Sequence, residues 1–432
     1  MRRARYGIVA MALVAIVSLA SSSGAQERGV IALDEDIQGL GVTTRVLMIG
    51  AHPDDEDTQL LTWLSRGEHI ETAYLSLTRG DGGQNLIGNE LGEALGAIRT
   101  EELLAARRVD GGRQYFTRAY DFGFSKSADE AFSHWPRDSI LRDVVAVVRQ
   151  FKPHVIISMF SGTPRDGHGH HQVAGILAKE AYEVAGDTVR FPAGADGAWT
   201  PRKFYRGRYF DPENATLRMN VGAYNPRLGR SYAEIASISR SQHKSQAFGS
   251  LQQKGVRWRG ITLEDSRSGT TADSSIYSGL RRGWLGLRGL VPRADAALER
   301  IDRQVKLLDG IDYLREPALA LPPLWAIHGE LVRLETTQER VTAGAINGSS
   351  DGAGTAVSAG ERELQAAVSV ALDRVVRAIT DASGTAIEAE VPRELVAAGD
   401  SIPLTITLYN RGGAPLRVGL PAVGACTSHS PT

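Results

Sequence analysis

Two short clusters along the chain contain residue types and spacings suited to metal-assisted chemistry. The first covers residues 51–56 and reads AHPDDE. Its His52 and Asp55 lie three positions apart where a predicted strand turns into a helix, so both side chains can face one point above a sheet. Imidazole nitrogens and carboxylate oxygens are suitable ligands for zinc and similar divalent ions. Asp54, between them, is predicted to point elsewhere and to remain available for proton transfer.

The second cluster covers residues 166–171 and reads DGHGHH, so three of the ten histidines lie close together. Such a loop, facing the first cluster, would supply a third metal ligand and a further cationic or hydrogen-bonding group. Three protein ligands with an open position for water define a catalytic zinc site rather than a structural one. The lone cysteine, Cys426, excludes a site built from several thiolates. The alternatives are a helix start at which Asp54 or Asp55 caps exposed amides, and a histidine-rich surface loop.

Strands that alternate with helices determine where the two clusters lie. Continuous apolar runs predict buried strands, and helical spacing of apolar residues predicts helices. The predicted strands cover 45–50, 72–77 and 155–160, and the predicted helices cover the stretch after Glu56 to about Arg66, then 95–108 and 140–151. This alternation predicts an α/β fold with a Rossmann-like, mostly parallel sheet flanked by helices. Ligands bind at the carboxyl ends of the strands in such sheets, and each cluster follows a strand end.

The remaining chain divides by composition and periodicity. We predict a catalytic domain at 43–290 and a helical extension at 291–382, with a flexible Gly-, Ala- and Ser-rich linker at 343–360. Residues 402–408 alternate at the period of a half-buried strand. Residues 387–432 are therefore interpreted as a partial β-sandwich-like segment, because a complete sandwich needs about 100 residues.

The first 25 residues have the order of a secretory signal peptide. Arg2, Arg3 and Arg5 precede an apolar stretch at 8–19, and small residues follow up to Ala25. That stretch is shorter than the about 20 residues of a transmembrane helix. We therefore expect cleavage and export to the periplasm or the extracellular space, with no stable membrane span afterwards. An uncleaved anchor is the alternative.

The composition narrows the classes of partner. The 432 residues include 49 Lys and Arg against 50 Asp and Glu, and removing residues 1–25 takes away three positive charges, so the formal net charge changes from −1 to −4. This balance argues against an extended nucleic-acid-binding surface, which needs a concentrated basic field. We expect a small-molecule or glycan substrate and no nucleic acid; the sequence makes no prediction of the oligomeric state.

The two clusters also resemble a known family, the PIG-L-type (LmbE-like) zinc-dependent de-N-acetylases. Members of that family carry AHPDDE after the first strand and a His-x-Asp-His-type motif later. The resemblance covers about residues 43–250. It includes LTRG at 77–80, RTEEL at 99–103, SYAEI at 231–235 and HKSQ at 243–246, the last two as in larger secreted members.

The resemblance implies roles for individual residues. It makes His52, Asp55 and His171 the zinc ligands, Asp54 the general base and His168 the group that stabilises the oxyanion. Arg99 matches a family position that lines the pocket, and an exposed helical arginine is the alternative. His170 and His243 are further candidates for substrate contact; for His243 the alternative is a histidine on a helix surface or a buried, hydrogen-bonded one. The family often has Asp where this chain has His170, and Asp166 or another carboxylate is a candidate to replace it.

The expected function is therefore a zinc-dependent hydrolase that removes the N-acetyl group from an amino-sugar conjugate of the N-acetylglucosamine type. The substrate class comes from the resemblance, and a site of two histidines and one aspartate accepts several divalent ions besides zinc. One alternative is a metal-dependent amidase or esterase that acts on another small metabolite. A carbohydrate-binding protein without turnover is the other.

Overall fold

The computed structural model describes residues 29–207, 212–269, 273–347, 357–393, 395, 397, 399–413 and 415. The predicted signal peptide at 1–25 and Cys426 lie outside these residues. Among the helices that are described, none is long and apolar enough to cross a lipid bilayer.

A seven-stranded sheet forms the centre of the molecule. Its strands are β1 (Arg45–Gly50), β2 (Glu71–Ser76), β3 (Arg113–Phe116), β4 (Val155–Ser158), β5 (Lys203–Gly207), β6 (Leu217–Asn220) and, after a small ribbon of β7 (Tyr224–Asn225) and β8 (Arg230–Ser231), β9 (Trp258–Ser266). The order across the sheet is β3-β2-β1-β4-β5-β9-β6. Neighbours from β3 to β5 are parallel, and β9 runs antiparallel to β5 and β6. The predicted mostly parallel sheet is confirmed.

The strands are added to the sheet on opposite sides of β1: β2 and β3 lie on one side, and β4 and β5 on the other. Strand β1 pairs with β2 on one side and with β4 on the other, in parallel on both sides. The loops after β1 and β4 therefore leave in different directions and open a crevice between them, which is where open α/β sheets bind ligands. The two chemical clusters of the sequence lie on these two loops.

Helices cover both faces of the sheet, and every residue of β1 is therefore buried. Helix α1 (Val30–Gly39) precedes β1 and packs in the second core described below; the helices beside the sheet are α2 (Thr58–Thr62), α3 (Glu93–Asp110), α4 (Ala128–His134), α5 (Arg137–Phe151), α6 (Gly169–Val184) and α7 (Tyr232–Arg240). Leu47 and Ile49 of β1 pack in a core with α4, α5 and α6. Val46 and Met48 point to the other face and pack with α2, α3 and α7.

A second core lies in the helical extension. Helix α8 (Gly283–Gly286), which lies before the predicted boundary at residue 291, packs there with α9 (Asp295–Leu308), α10 (Leu321–Asn347) and α11 (Ala359–Ser383). Helix α1 was not expected from the sequence; its Leu33 and Ile37 pack in this core together with Trp284. Arg374 of α11 also donates to Glu71 of β2 at 3.1 Å, which ties the extension to the sheet.

The C-terminal part contains an antiparallel pair, β10 (Thr385–Glu390) and β11 (Thr405–Asn410). The strand expected at 402–408 begins three residues later than predicted, after Pro403, which has no backbone donor for a ladder. Residues 343–347 of the predicted linker belong to α10. The partial sandwich and the domain limits stay predictions, since residues 416–432 lie outside the described chain.

Candidate metal centre and catalytic site

The loop after β1 is shaped around the Asp55 carboxylate. Its Oδ2 accepts hydrogen bonds from the backbone N–H groups of Ala51 at 3.0 Å and His52 at 2.7 Å. The Tyr74 hydroxyl donates to the His52 carbonyl at 2.6 Å from the neighbouring strand. A side chain at Gly50 would collide with this hydroxyl, so glycine is required at the end of β1. The loop therefore presents Asp55 in a fixed position.

Three side chains predicted as metal ligands converge from the two loops. His52 Nδ1 lies 3.2 Å from Asp55 Oδ2, and His171 Nε2 lies 3.4 Å from Asp55 Oδ1. One nitrogen or oxygen of each residue falls within 4.8 Å of the others. Although burial raises the pKa of Asp55, the two histidines hold it well below its usual range. The carboxylate is thus ionised between two imidazoles, as a divalent cation requires of its ligands.

The loop after β4 reaches the site through a helix start. Asp166 caps the preceding turn, since its carboxylate accepts from the backbone N–H groups of Ser161 at 3.0 Å and Gly162 at 2.7 Å. Helix α6 then begins, with His168 as its N-cap. The His171 ring stacks on Phe160, with centroids 4.0 Å apart and planes 8° apart. The Asp166 carboxylate therefore stabilises the turn. It does not take the place of the aspartate that the family often has at the position of His170.

His170 was expected to contact the substrate, and the structure places it elsewhere. Its side chain is fully buried, stacked on Trp135 at 4.3 Å and edge-on to Phe122 at 4.4 Å. Its Nδ1 lies 3.0 Å from His52 Nε2 and 3.8 Å from Asp121 Oδ1. His170 therefore lies behind the candidate metal site, where it contacts the ring nitrogen of His52 that does not face Asp55.

Asp54 lies beside the ligand cluster in an unusual backbone conformation. Its φ of 113° is rare for a residue with a side chain. Its N–H donates to Glu56 Oε2 at 3.0 Å, and Arg240 donates to its carbonyl. Arg99 donates to its Oδ2 at 3.1 Å. Burial raises the pKa of Asp54 to about 6, against the opposing effect of Arg99, so the group can both accept and release a proton near neutral pH.

Arg99 was predicted to line the substrate pocket. The structure buries it, with its Nη2 also donating to the Pro53 carbonyl at 2.6 Å and its Nη1 to the Gly80 carbonyl at 3.1 Å. A side chain at Gly80 would collide with the guanidinium. Arg99 therefore positions the Asp54 loop, and the geometry gives it no exposed face for a substrate.

His243 was a candidate for substrate contact, but the structure favours the alternative, a fully buried and hydrogen-bonded histidine. Its Nε2 lies 3.1 Å from Glu56 Oε1, to which Arg107 donates at 3.0 Å. Burial raises the pKa of Glu56, but Arg107 and His243 outweigh it and the pKa is lowered. Arg107 also binds Asp110 at 2.6 Å. His243 belongs to this buried network under the Asp54 loop.

His168 lies partly exposed beside the predicted metal ligands, with its ring centroid 5.1 Å from that of His52. Its Nδ1 accepts from the backbone N–H of His170 at 3.2 Å and lies 3.1 Å from the Ser125 hydroxyl. A nitrogen that accepts a backbone hydrogen bond carries no proton, so in the neutral ring the proton is on Nε2. Burial, together with His52 and His171, lowers the pKa of His168 to about 4. His168 is therefore a neutral hydrogen-bond donor through Nε2.

Five of the eight predicted site residues line the site in the structure: His52, Asp54, Asp55, His168 and His171. The ring nitrogens of His52, His168 and His170 form a second group within 4.8 Å of one another, although His170 is fully buried. The other three, Arg99, His170 and His243, lie in the supporting layer. Sequence reasoning missed the roles of Glu56, which stands in the first motif, and of Asp121, which follows β3. The position of Asp121 after a parallel strand was the available signal.

The donor set fits a divalent transition metal. Two imidazole nitrogens and one carboxylate are the ligands of many catalytic zinc sites, and a fourth position is left for water or substrate. The His52 ring has Nδ1 toward Asp55 and Nε2 toward His170. This is the arrangement in which one ring nitrogen binds a metal and the other is held by a neighbouring side chain.

Comparison with known proteins places the site in a family domain. Residues 47–182 match the family described as PIG-L: GlcNAc-PI de-N-acetylase. A 1D-myo-inositol 2-acetamido-2-deoxy-alpha-D-glucopyranoside deacetylase of Rhodococcus opacus (strain B4) is 32% identical over 181 residues, covering 37% of this chain. The deacetylase with the same description from Rhodococcus jostii (strain RHA1) is 29% identical. The chain spans 60% of the length of each of these relatives.

Among solved structures, N,N'-diacetylchitobiose deacetylase from Pyrococcus horikoshii has 18% identity and a TM-score of 0.37, covering 51% of this chain and 83% of that one. The matched family segment begins in β1, ends in α6 and includes both loops of the site. Residues 47–182 of this chain are thus a domain of the PIG-L family.

Proposed function

We propose that this protein is a zinc-dependent hydrolase that removes the N-acetyl group from an amino-sugar conjugate of the N-acetylglucosamine type. The observation that carries the proposal is the convergence of His52, Asp55 and His171 on one point, with Asp54 beside them. The family match and the deacetylase names of the Rhodococcus relatives support the reaction and the substrate class.

The metal ion is proposed to bind His52, Asp55 and His171. When bound there, zinc would polarise the amide carbonyl and lower the pKa of a water molecule. Two histidines and one aspartate accept several divalent ions, so the ligands alone do not select the metal. The choice of zinc is therefore itself part of the proposal.

Asp54 is proposed as the general base. Its carboxylate is held by Arg99 beside Asp55, and burial raises its pKa to about 6. A base with a pKa near the working pH takes a proton from water as the water attacks the acetyl carbonyl, and can give it back. Attack forms a carbon–oxygen bond and a tetrahedral intermediate whose former carbonyl oxygen carries negative charge.

His168 is proposed to stabilise that oxygen. Its Nδ1 is held by the His170 N–H and the Ser125 hydroxyl, so its Nε2–H is the donor available to the substrate. A fixed donor aimed at the developing oxyanion lowers the barrier without reorganisation. The carbon–nitrogen bond then breaks as Asp54 returns its proton to the amine nitrogen, and acetate and the free amine leave.

Export is also proposed. It rests on the basic, apolar and small-residue order of residues 1–25. N-terminal sequencing of protein recovered from the periplasm or the culture medium should show a start after about residue 25. Recovery of the uncleaved chain from the membrane fraction would support an anchor instead.

Acetate release tests the proposed function directly. Zinc-loaded protein is incubated with N-acetylglucosamine conjugates, acyl esters and N-acetylated peptides, with and without a chelator. We expect acetate release from the sugar conjugates, loss of release with the chelator, and recovery on adding zinc. Release from the esters or peptides alone would contradict the proposed substrate class. Metal binding without acetate release from any substrate would contradict the assignment as an enzyme.

A further inference from the structure

An exposed aromatic ring stands next to the reacting groups. Phe124 is 73% exposed, although large apolar side chains normally pack in the core. Its ring centroid lies 5.0 Å from that of His168. Two residues earlier, Phe122 points inward and packs on His170 and Trp135. The segment therefore has one aromatic ring under the site and one at its mouth.

The backbone on both sides of Phe124 is anchored. The Gly123 N–H donates to Asp121 Oδ1 at 2.9 Å, and Gly123 has a φ of 91°, which favours glycine. Ser125 is fully buried, its hydroxyl lies 3.1 Å from His168 Nδ1, and its carbonyl accepts from the Gly169 N–H at 2.8 Å. The backbone that carries Phe124 is therefore fixed beside His168, partly through the contact between Ser125 and His168.

This position constrains any substrate. The Phe124 ring lies beside His168, with the two ring centroids 5.0 Å apart, so a substrate group that reaches the Nε2 of His168 would pass close to it. In the proposed binding mode, the group attached to the amide nitrogen extends over this ring. In a pyranose one face of the ring is formed by C–H groups, and such an apolar face packs on an aromatic ring.

We propose that Phe124 is the platform for the apolar face of the amino-sugar ring and that it selects cyclic N-acetylated pyranosides over open-chain amides. This inference rests on the proposed function and specifies its substrate as a closed pyranose ring. Flatness is the property that matters. Phe124→Tyr should therefore keep the platform, whereas Phe124→Leu, which is apolar but not flat, should lose it.

Binding to zinc-loaded, inactive protein tests the proposal. In an Asp54→Asn background, calorimetry measures the dissociation constants of methyl N-acetylglucosaminide and of N-acetylglucosaminitol, the reduced analogue of the sugar that cannot close into a ring. We expect the closed ring to bind roughly five- to tenfold more tightly, and Phe124→Ala or Phe124→Leu to abolish the difference while Phe124→Tyr keeps it. Trp325→Ala, which truncates an exposed aromatic ring on α10, is the matched control and should change nothing.

Equal binding of the closed and open forms, or a preference that survives Phe124→Ala, would overturn the platform. Acetate release by the wild-type protein separates this failure from that of the proposed function. If the wild type releases acetate from the sugar while Phe124→Ala keeps the same KM, only the platform is wrong. If the wild type releases none, the proposed function fails first. Equal zinc content in all variants shows that the metal site is intact.

Discussion

The two loops that meet at the site are held in place by different forces. The loop after β1 presents carboxylates and is fixed by charge, because Glu56 beneath it accepts from Arg107 and lies 3.1 Å from His243. The loop after β4 presents imidazoles; Asp166 caps its turn, and its histidine rings are fixed by aromatic stacking, with His171 on Phe160 and His170 on Trp135.

The difference follows from the cost of burial. A carboxylate loses its hydration in the interior and must be compensated by a cation or by several hydrogen-bond donors. A neutral imidazole can be buried against an aromatic ring, and burial lowers the pKa of His170 so that its ring stays neutral. The acidic part of the site therefore depends on buried ion pairs, and the basic part depends on packing.

The largest effect is expected at the carboxylate that the first loop presents. Asp54→Asn should lower kcat by about 10²- to 10⁴-fold, since the amide cannot accept the proton of water. Zinc content should stay at the wild-type level because the ligands are unchanged. Acetate release and metal analysis on the same preparation measure both, with the exposed Asp138→Asn as a control. Wild-type turnover by zinc-loaded Asp54→Asn would refute the base assignment.

The second-largest effect is expected when the network of buried charges under the first loop is broken. Arg107→Met leaves the buried carboxylates of Glu56 and Asp110 without their cation, so the free energy of unfolding should fall by about 3–5 kcal/mol. Arg118→Met, which breaks an exposed pair with Asp143, should cost less than about 1 kcal/mol. Denaturant titrations of both variants provide the comparison. Equal losses would contradict a loop that is held mainly by buried charge.

A smaller effect is expected where the two loops touch. His170→Ala removes the side chain that lies 3.0 Å from His52 Nε2 and should weaken zinc binding by about 10- to 100-fold. Competition with a chromogenic chelator measures the affinity. His328→Ala, in the helical extension, is the matched control. If His170→Ala binds zinc as tightly as the wild type, His52 is oriented by other contacts.

The smallest effect should come from the stacking that holds the second loop. Phe160→Leu keeps an apolar side chain but removes the flat surface against His171, so the free energy of unfolding should fall by about 1 kcal/mol. Tyr224→Leu changes an exposed ring and should have almost no effect. Thermal unfolding of the two variants tests this. A Phe160→Leu protein as stable as the wild type would mean that the stacking does not hold the loop.

Much of the site was accessible from the sequence because it depends on local patterns. Each side of the crevice is marked in the sequence by a buried strand that is followed by a polar motif, β1 on one side and β4 on the other. The convergence of His52, Asp55 and His171 follows once β1 and β4 are neighbours. Strand order itself is a long-range property, and the alternation of strands and helices predicted only a mostly parallel sheet, without the order of its strands.

Burial was the part that sequence reasoning could not supply. His170 and His243 have the residue type of a site but lie in its supporting layer, because tertiary packing decides which face of a loop meets solvent. Phe124 was missed for the opposite reason, since a single Phe in a sequence gives no sign of being exposed. Helix α1 was missed because its apolar residues pair with helices more than 200 positions later.

The central claim is that residues from both loops hold one metal ion that the reaction needs. The most direct test is metal content by elemental analysis of wild-type and His171→Ala protein, each assayed for acetate release from an N-acetylglucosaminide. The account predicts stoichiometric zinc in the wild type, removed by a chelator together with activity, and loss of both in His171→Ala. Stoichiometric zinc in His171→Ala, or undiminished acetate release by metal-free wild type, would contradict it.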